Sequence, residues 1–470
     1  MRKAEALATV SLPECADSIE SHPWLDNVFA LATYQVDQQE VDRELGNREH
    51  DEDEEAHAAS SSSSPPYTRK GLLRLYQGAL KGDASVDCVT MYEEQTAAIL
   101  DTKWSLASLP SSSPAKGLLG VADASGHVSL HSLQQDSADS SSRLPLLAKL
   151  PFNDHKALCL SLDWSDRIAH YPPSAAADTH LQDASLVVSQ SDGSLAWLPS
   201  VAAAVQADQA MLKRVMETKF PREAVQEDEQ DESDDEEDCR GEGEGASSKP
   251  LMDWPQKPIG LETWHAHDHE AWIAAFDTYS DGRIIWSGGD DLAMKGWDVR
   301  LPISRRQRAP IFTNRREFQG GVTTMQSHWA REGLWAVGSY DSKLRLFEAR
   351  LPARPIATLE LPGGIWRLKW HPKDSSLLLA GCMHGGFAVI RVPWLASSAD
   401  GDEVDKSSLE ILSTFEGHES LAYGCDWERG SSGTVREWAT GTGIRSTVAT
   451  EASLVYSCSF YDKRLCSWLA

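Results

Sequence analysis

Cys382 and His384 stand two residues apart in the segment LLLAGCMHGGF, and a thiol beside an imidazole is the pairing in this chain best suited to covalent chemistry. An imidazole that takes the thiol proton leaves a thiolate, the nucleophilic form of cysteine. The plainer alternative is a packed cysteine at a strand end followed by a surface histidine in a turn. A second group alternates along HAHDHE: His265, His267, His269 and Glu270. No fourth ligand follows at zinc-like spacing, so no metal is expected there. A third group is aromatic. Trp272, Trp366 and Tyr423 each open an apolar run, with Arg367 beside the second. Gathered at one place, such rings would hold a quaternary ammonium by cation–π attraction, about 0.5–2 kcal/mol per ring; the alternative is core packing. No GxSxG elbow, Walker loop, GxGxxG turn or HExxH helix occurs, which removes the common signatures of serine hydrolases, nucleotide sites and zinc peptidases.

Positioning these groups falls to a repeat. The stretch from Leu261 to Arg300 reads as a strand ending in a histidine, an apolar strand, a third running into SGGDD, and a fourth closing on Trp297-Asp298. That order is one blade of a β-propeller. His267 in the entering loop, Ser287 on the middle strand, Asp291 in the turn and Trp297 on the closing strand are placed to hydrogen-bond one another, a structural role. Asp341 and Asp462 recur six residues before Phe347 and Trp468, while His384 takes that place before Ile390. Runs of the same kind begin near Ser18, Ile99, Leu158, Gly321, Gly364 and Leu421, which makes seven blades in one domain over residues 1–470. Ala6 to Leu12 has no earlier strand to pair with and is expected to complete the last blade, closing the ring.

Three stretches break the repeat. Residues 37–68 are acidic and Ser-rich and are expected to be a disordered insertion in blade one. Residues 200–258 combine a helix-forming run, Val201 to Phe220, with an acidic insertion between blades three and four. Residues 428–450 insert into blade seven. Ten acids against two arginines between Asp37 and Glu55, and twelve against one between Glu227 and Glu244, hold 19 of the 27 net negative charges. The acidity belongs to insertions, and no nucleic-acid partner is expected. Eight scattered cysteines form no CxxC pair, as in a reduced compartment. With no run of about eighteen apolar residues, no membrane association is expected, and a cytoplasmic monomer is the reading.

Several phrases go beyond a generic repeat: TAAILDTKW, GLLGVADASGHVSL, HEAWIAAFD, WSGGDDLAMKGWD, GGIWRLKWHP, LLLAGCMHGGF, SLAYGCDW and YSCSFYDKRLCSW. In kind and order they resemble the WD-repeat diphthine methyl ester hydrolases, also called diphthine methyltransferases. The resemblance implies a carboxylic ester hydrolase of diphthamide biosynthesis, without cofactor, acting on elongation factor 2 that carries methylated diphthine. Hydrolysis of the ester exposes a carboxylate for the final amidation. Diphthine carries a trimethylammonium, which suits Trp272, Trp366 and Tyr423, with Glu270 and Tyr461 at the rim. No motif of the family assigns the catalytic groups. Cys382 with His384 offers covalent attack, His384 or Asp290 acting on water is the other route, and Arg367 would stabilise the oxyanion. On these routes His384→Ala lowers hydrolysis by about 10²-fold or more. The competing function is a non-catalytic scaffold, since propellers commonly serve as binding platforms.

Overall fold

Short runs of β-branched and aromatic residues broken by Gly- and Asp-containing turns fold as antiparallel meanders, and here they build seven small sheets around one axis. The computed structural model describes residues 2–38, 67–83, 85–106, 115–135, 142–154, 157–166, 184–219, 257–396, 405–429 and 453–470. The innermost strands, in blade order, are Ala16–Ser21, Ile99–Ser105, Cys159–Trp164, Ile273–Phe276, Val322–Ser327, Arg367–Trp370 and Ala422–Trp427. The ring closes as expected: Ala6–Ser11 pairs antiparallel with Arg464–Leu469 and so supplies the outer strand of blade seven. Arg2–Lys3 additionally pairs parallel to Glu410–Phe415 of blade six, tying the same terminus to a second blade.

The core lies between blades, where each sheet buries both faces against its neighbours. Clusters such as Leu162, Trp164, Leu186 and Val188 with Leu118 and Val128 join adjacent sheets, and Trp286 stacks on Trp335 at 4.4 Å between blades four and five. A tryptophan lies at or one residue before the end of four of the innermost strands and reaches back one blade each time. The indole N–H of Trp104 donates to the Glu20 carbonyl at 3.1 Å, Trp164 to Lys103 at 3.0 Å, Trp370 to Gln326 at 3.3 Å and Trp427 to Lys369 at 2.9 Å.

Two expectations about the insertions change. Gln35–Gln38 and Tyr67–Leu80 pair as strands, from Gln35 opposite Lys70 to Gln38 opposite Tyr67, so the ends of the 37–68 stretch are ordered sheet; residues 39–66 lie outside the described residues. Tyr67–Leu80 also pairs along its length with Val86–Ala97, a long outer strand that weak alternation concealed. The helix spans Val201–Lys219, as the composition predicts. It is not a free surface helix: Val201, Ala204 and Val205 are buried in the core shared by blades two and three, and Ser200 caps its start by accepting the Ala203 N–H. Residues 220–256 and 430–452 lie outside the described residues. Among the described residues no helix is long and apolar enough to cross a membrane.

Candidate functional site at the channel mouth

Each innermost strand begins at one end of the central channel, and the blades can be aligned there by a shared backbone bond. The first residue of the following turn donates to the carbonyl just before the innermost run: Tyr34 to Cys15, Ala124 to Ala98, Ser191 to Leu158, Asp290 to Glu270, Tyr340 to Gly321 and Phe460 to Leu421. Blade six is aligned by Ile365 N–H to Ser339, the counterpart of Val322 N–H to Gly289. Two residues beyond each carbonyl lie seven equivalent positions: Asp17, Leu100, Leu160, Trp272, Thr323, Trp366 and Tyr423. In blades one, two, three, five and seven the pairing register shifts at this place. Such a bulge sets two residues opposite one and re-aims side chains.

The aromatic residues at and above these positions form one continuous arc. Trp272 lies 5.6 Å from Trp366 and 6.1 Å from Tyr340, Trp366 stacks on Tyr423 at 4.9 Å, and Tyr423 meets Phe460 at 5.1 Å. Phe460 then touches Tyr34 at 6.2 Å and Tyr461 at 4.9 Å. The structure thus brings Trp272, Trp366 and Tyr423 together, and adds Tyr340, Phe460 and Tyr34, which turn composition alone did not reveal. Tyr461 is 69% exposed at the outer end. Asp290 accepts the Trp272 indole N–H at 3.2 Å, and the Glu270 carbonyl accepts the Asp290 N–H. Both carboxylates stand close enough to Tyr340 to help burial hold its hydroxyl well above the usual phenol range. The Trp366 indole N–H is buried without a partner.

Below the arc is a charged belt. Arg367 donates to Asp101 at 3.1 Å across the channel, Lys103 donates to the same carboxylate at 2.7 Å, and the Leu162 N–H completes its set at 3.1 Å. Burial works against the Asp101 charge, but Lys103 and Arg367 outweigh it and hold the carboxyl below its ordinary value. Burial lowers Lys103 to about 8. One level further in, Lys369 pairs with Glu20 and lies 3.8 Å from Asp426. A cavity of about 100 Å³ at the far end is lined by Glu20, Lys103, Arg367 and Lys369 of this belt.

Asp17 is the one carboxylate among the seven mouth positions. It is 4% exposed, and its Oδ2 is buried with no hydrogen-bond partner. Burial pushes its carboxyl up to about 7, with Arg367 opposing and Asp101 reinforcing the rise. Its charge contributes, after burial, to holding the hydroxyls of Tyr340 and Tyr423 above the usual phenol range. Sequence reading missed it because ADSIES shows no motif; aligning it with GIWRLK and LAYGCD would have placed an acid where the other blades carry Trp366 and Tyr423.

Cys382 and His384 do not form the expected pair. Cys382 is 0% exposed, its thiol points to the Ala380 carbonyl at 3.8 Å, and burial alone pushes it up to about 12, the opposite of an activated thiolate. His384 is exposed. Met383 between them takes a φ of 43° and bonds back to Ala422, which turns the two side chains to different surroundings. His384 stands at the turn position that other blades use for anchoring. In blade four Asp291 meets His267 Nδ1 at 2.8 Å, His267 Nε2 meets Ser287 at 2.7 Å, and Trp297 donates to Ser287 at 2.9 Å. Asp341 accepts both Arg345 nitrogens, at 3.0 and 2.7 Å. Ser459 links Asp462 to His418, whose other nitrogen lies 2.9 Å from Ser457, with Trp468 on that hydroxyl at 3.1 Å. His265 and His269 are exposed while His267 is buried, so the three do not converge.

No family model matches the chain. Among solved structures, a chain of the crystal structure of the mitotic checkpoint complex superposes with a TM-score of 0.53 over 99% of this chain and 94% of that one, at 13% identity, a likeness of fold alone. Curated relatives are closer in sequence. The diphthine methyltransferase of Homo sapiens is 31% identical over 425 residues, covering 90% of this chain and 74% of the relative. The diphthine methyltransferase homolog of Dictyostelium discoideum is 37% identical over 215 residues, 44% of this chain and 52% of the relative. The Mus musculus protein is 29% identical over 364 residues, 77% of this chain and 60% of its own length. With that identity over that much of the human protein, the chain belongs to the diphthine methyltransferase family.

Proposed function

We propose that the protein hydrolyses the methyl ester of methylated diphthine on elongation factor 2, releasing methanol and leaving the carboxylate for amidation to diphthamide. Family membership carries the role in diphthamide biosynthesis and the chemistry on a diphthine methyl group. The observation that supports the finer reading is the aromatic arc at the channel mouth. A trimethylammonium resting on Trp272, Trp366 and Tyr423 gains about 0.5–2 kcal/mol from each ring it faces. Glu270 and Asp290 at the rim add the negative potential that favours a cation.

In a diphthine methyl ester the ammonium nitrogen and the ester carbonyl are attached to the same carbon. Fixing the cation therefore fixes the reacting bond just below the rings, near Arg367. That guanidinium, held by Asp101, would meet the charge developing on the carbonyl oxygen. Hydrolysis asks only for water, a base and this electrostatic support. Cys382, buried and protonated, contributes packing on this reading, and Asp290 contributes to cation binding rather than to water activation because its Oδ1 is engaged by Trp272. The elongation factor would approach the mouth face, where Tyr461 projects.

The test is incubation of the purified protein with elongation factor 2 carrying methylated diphthine, followed by mass spectrometry without added methyl donor. Loss of one methyl with release of methanol is the expected result. Unchanged mass with stable binding would make the protein a scaffold, and a gain of methyl that needs a donor would make it a transferase.

A further inference from the structure

Among the described residues, the carboxylates below the mouth are paired. Asp101 is bound by Arg367, Lys103 and the Leu162 N–H, Glu20 by Lys369, and Asp426 by Arg429 and the Ser21 N–H. Among the described residues at the seven mouth positions, Asp17 is the one carboxylate, and its Oδ2 is buried without a hydrogen-bond partner. An unpaired buried carboxylate oxygen is costly and persists where something else uses it. Its place is the mouth position next to Tyr423 in the ring, on a bulge, level with the arc.

This inference rests on the hydrolysis reading. We propose that Asp17 is the general base of the reaction, its Oδ2 taking a proton from the water that attacks the ester carbonyl. As the water O–H bond breaks, the oxygen bonds to the carbonyl carbon and the carbonyl electron pair moves to its oxygen, opposite Arg367. Collapse of that intermediate breaks the bond from the acyl carbon to the methoxy oxygen. The departing oxygen takes the proton back from Asp17 and leaves as methanol. The net change is ester plus water to acid plus methanol, and the acid loses its proton to solvent. The new carboxylate then lies beside the ionised Asp17, and their repulsion favours release. The groups that act on Asp17 are Arg367 from blade six and Asp101 and Lys103 from blade two; Tyr340 of blade five and Tyr423 and Cys458 of blade seven feel its charge in turn.

The experiment compares wild type with Asp17→Asn on elongation factor 2 carrying methylated diphthine, reading methyl loss in single turnovers and binding by titration. Asp17→Asn should lower the hydrolytic rate by about 10²-fold or more while the dissociation constant moves by less than about three-fold, and wild-type kcat/KM should rise with pH through a single ionisation near 7. Wild type that hydrolyses alongside an Asp17→Asn protein within about five-fold of its rate overturns the assignment and leaves the hydrolase standing. Wild type that leaves the methyl in place overturns both. Should the variant not fold, the wild-type profile decides, a flat kcat/KM across the neutral range overturning the assignment.

Discussion

Asp17 shows at the scale of one residue how a functional position departs from what stability alone would choose. Its carboxyl titrates near 7 in the fold against an ordinary 3.8, so the folded protein holds the proton more tightly than the unfolded chain does. The contribution of Asp17 to stability is therefore greatest at low pH and is lost as pH rises from about 4 to about 7, by an amount on the order of 2–4 kcal/mol. Asp17→Asn lacks that penalty. Urea unfolding should find the variant more stable than wild type at pH 8, with the gap closing toward pH 4; a gap that is absent or reversed at pH 8 would show that Asp17 is not strained by burial. The arc makes a separable prediction. Trp366→Leu removes one ring face and should raise KM by about 2- to 30-fold while kcat stays within about three-fold, since cation–π attraction acts on the bound substrate before and during reaction.

At the scale of the blade, the histidine that drew attention in HAHDHE is a fastening. His267 joins Asp291 to Ser287, and Trp297 shares the same hydroxyl. The pairing depresses Asp291 to about 2 despite burial, and burial keeps His267 below its ordinary value. A depressed carboxyl contributes stability above about pH 4 that is lost as pH falls through about 2. His267→Ala empties a buried ring site and removes the link between Asp291 and Ser287, and should lower stability by about 2–4 kcal/mol in denaturant titration at pH 7, without changing hydrolysis at 25 °C. Blade seven repeats the device with His418, a residue sequence reading passed over because the insertion at 428–450 hid the blade's period. Blade six has no such network, and His384 in the corresponding turn is exposed.

The whole ring depends on its seam. Ala6–Ser11 covers the open edge of Arg464–Leu469 and makes blade seven from both ends of the chain. Removing residues 1–12 uncovers that strand and its buried neighbours Leu465 and Trp468, and exposed edges pair with other chains. The truncated protein should elute as oligomers in size-exclusion chromatography and lose its single cooperative unfolding transition. Deletion of residues 223–246, outside the described structure, separates two roles: hydrolysis should be unchanged, whereas an adaptor that uses the acidic run would lose its partner.

The sequence alone determined the seven blades, their turns and the closing strand, because a period-two pattern bounded by Gly and Asp is a local property that each segment expresses by itself. It also determined that Trp272, Trp366 and Tyr423 are equivalent, since each opens an innermost strand. The tertiary structure decided what shares a volume. Asp101 and Arg367 are 266 positions apart in the chain and meet only because the ring closes, and Cys382 and His384 are two apart yet separate because one turn sends the thiol into the core and the imidazole to water. Proximity along a strand is set by the chain, whereas proximity across a channel is set by how many blades complete the circle.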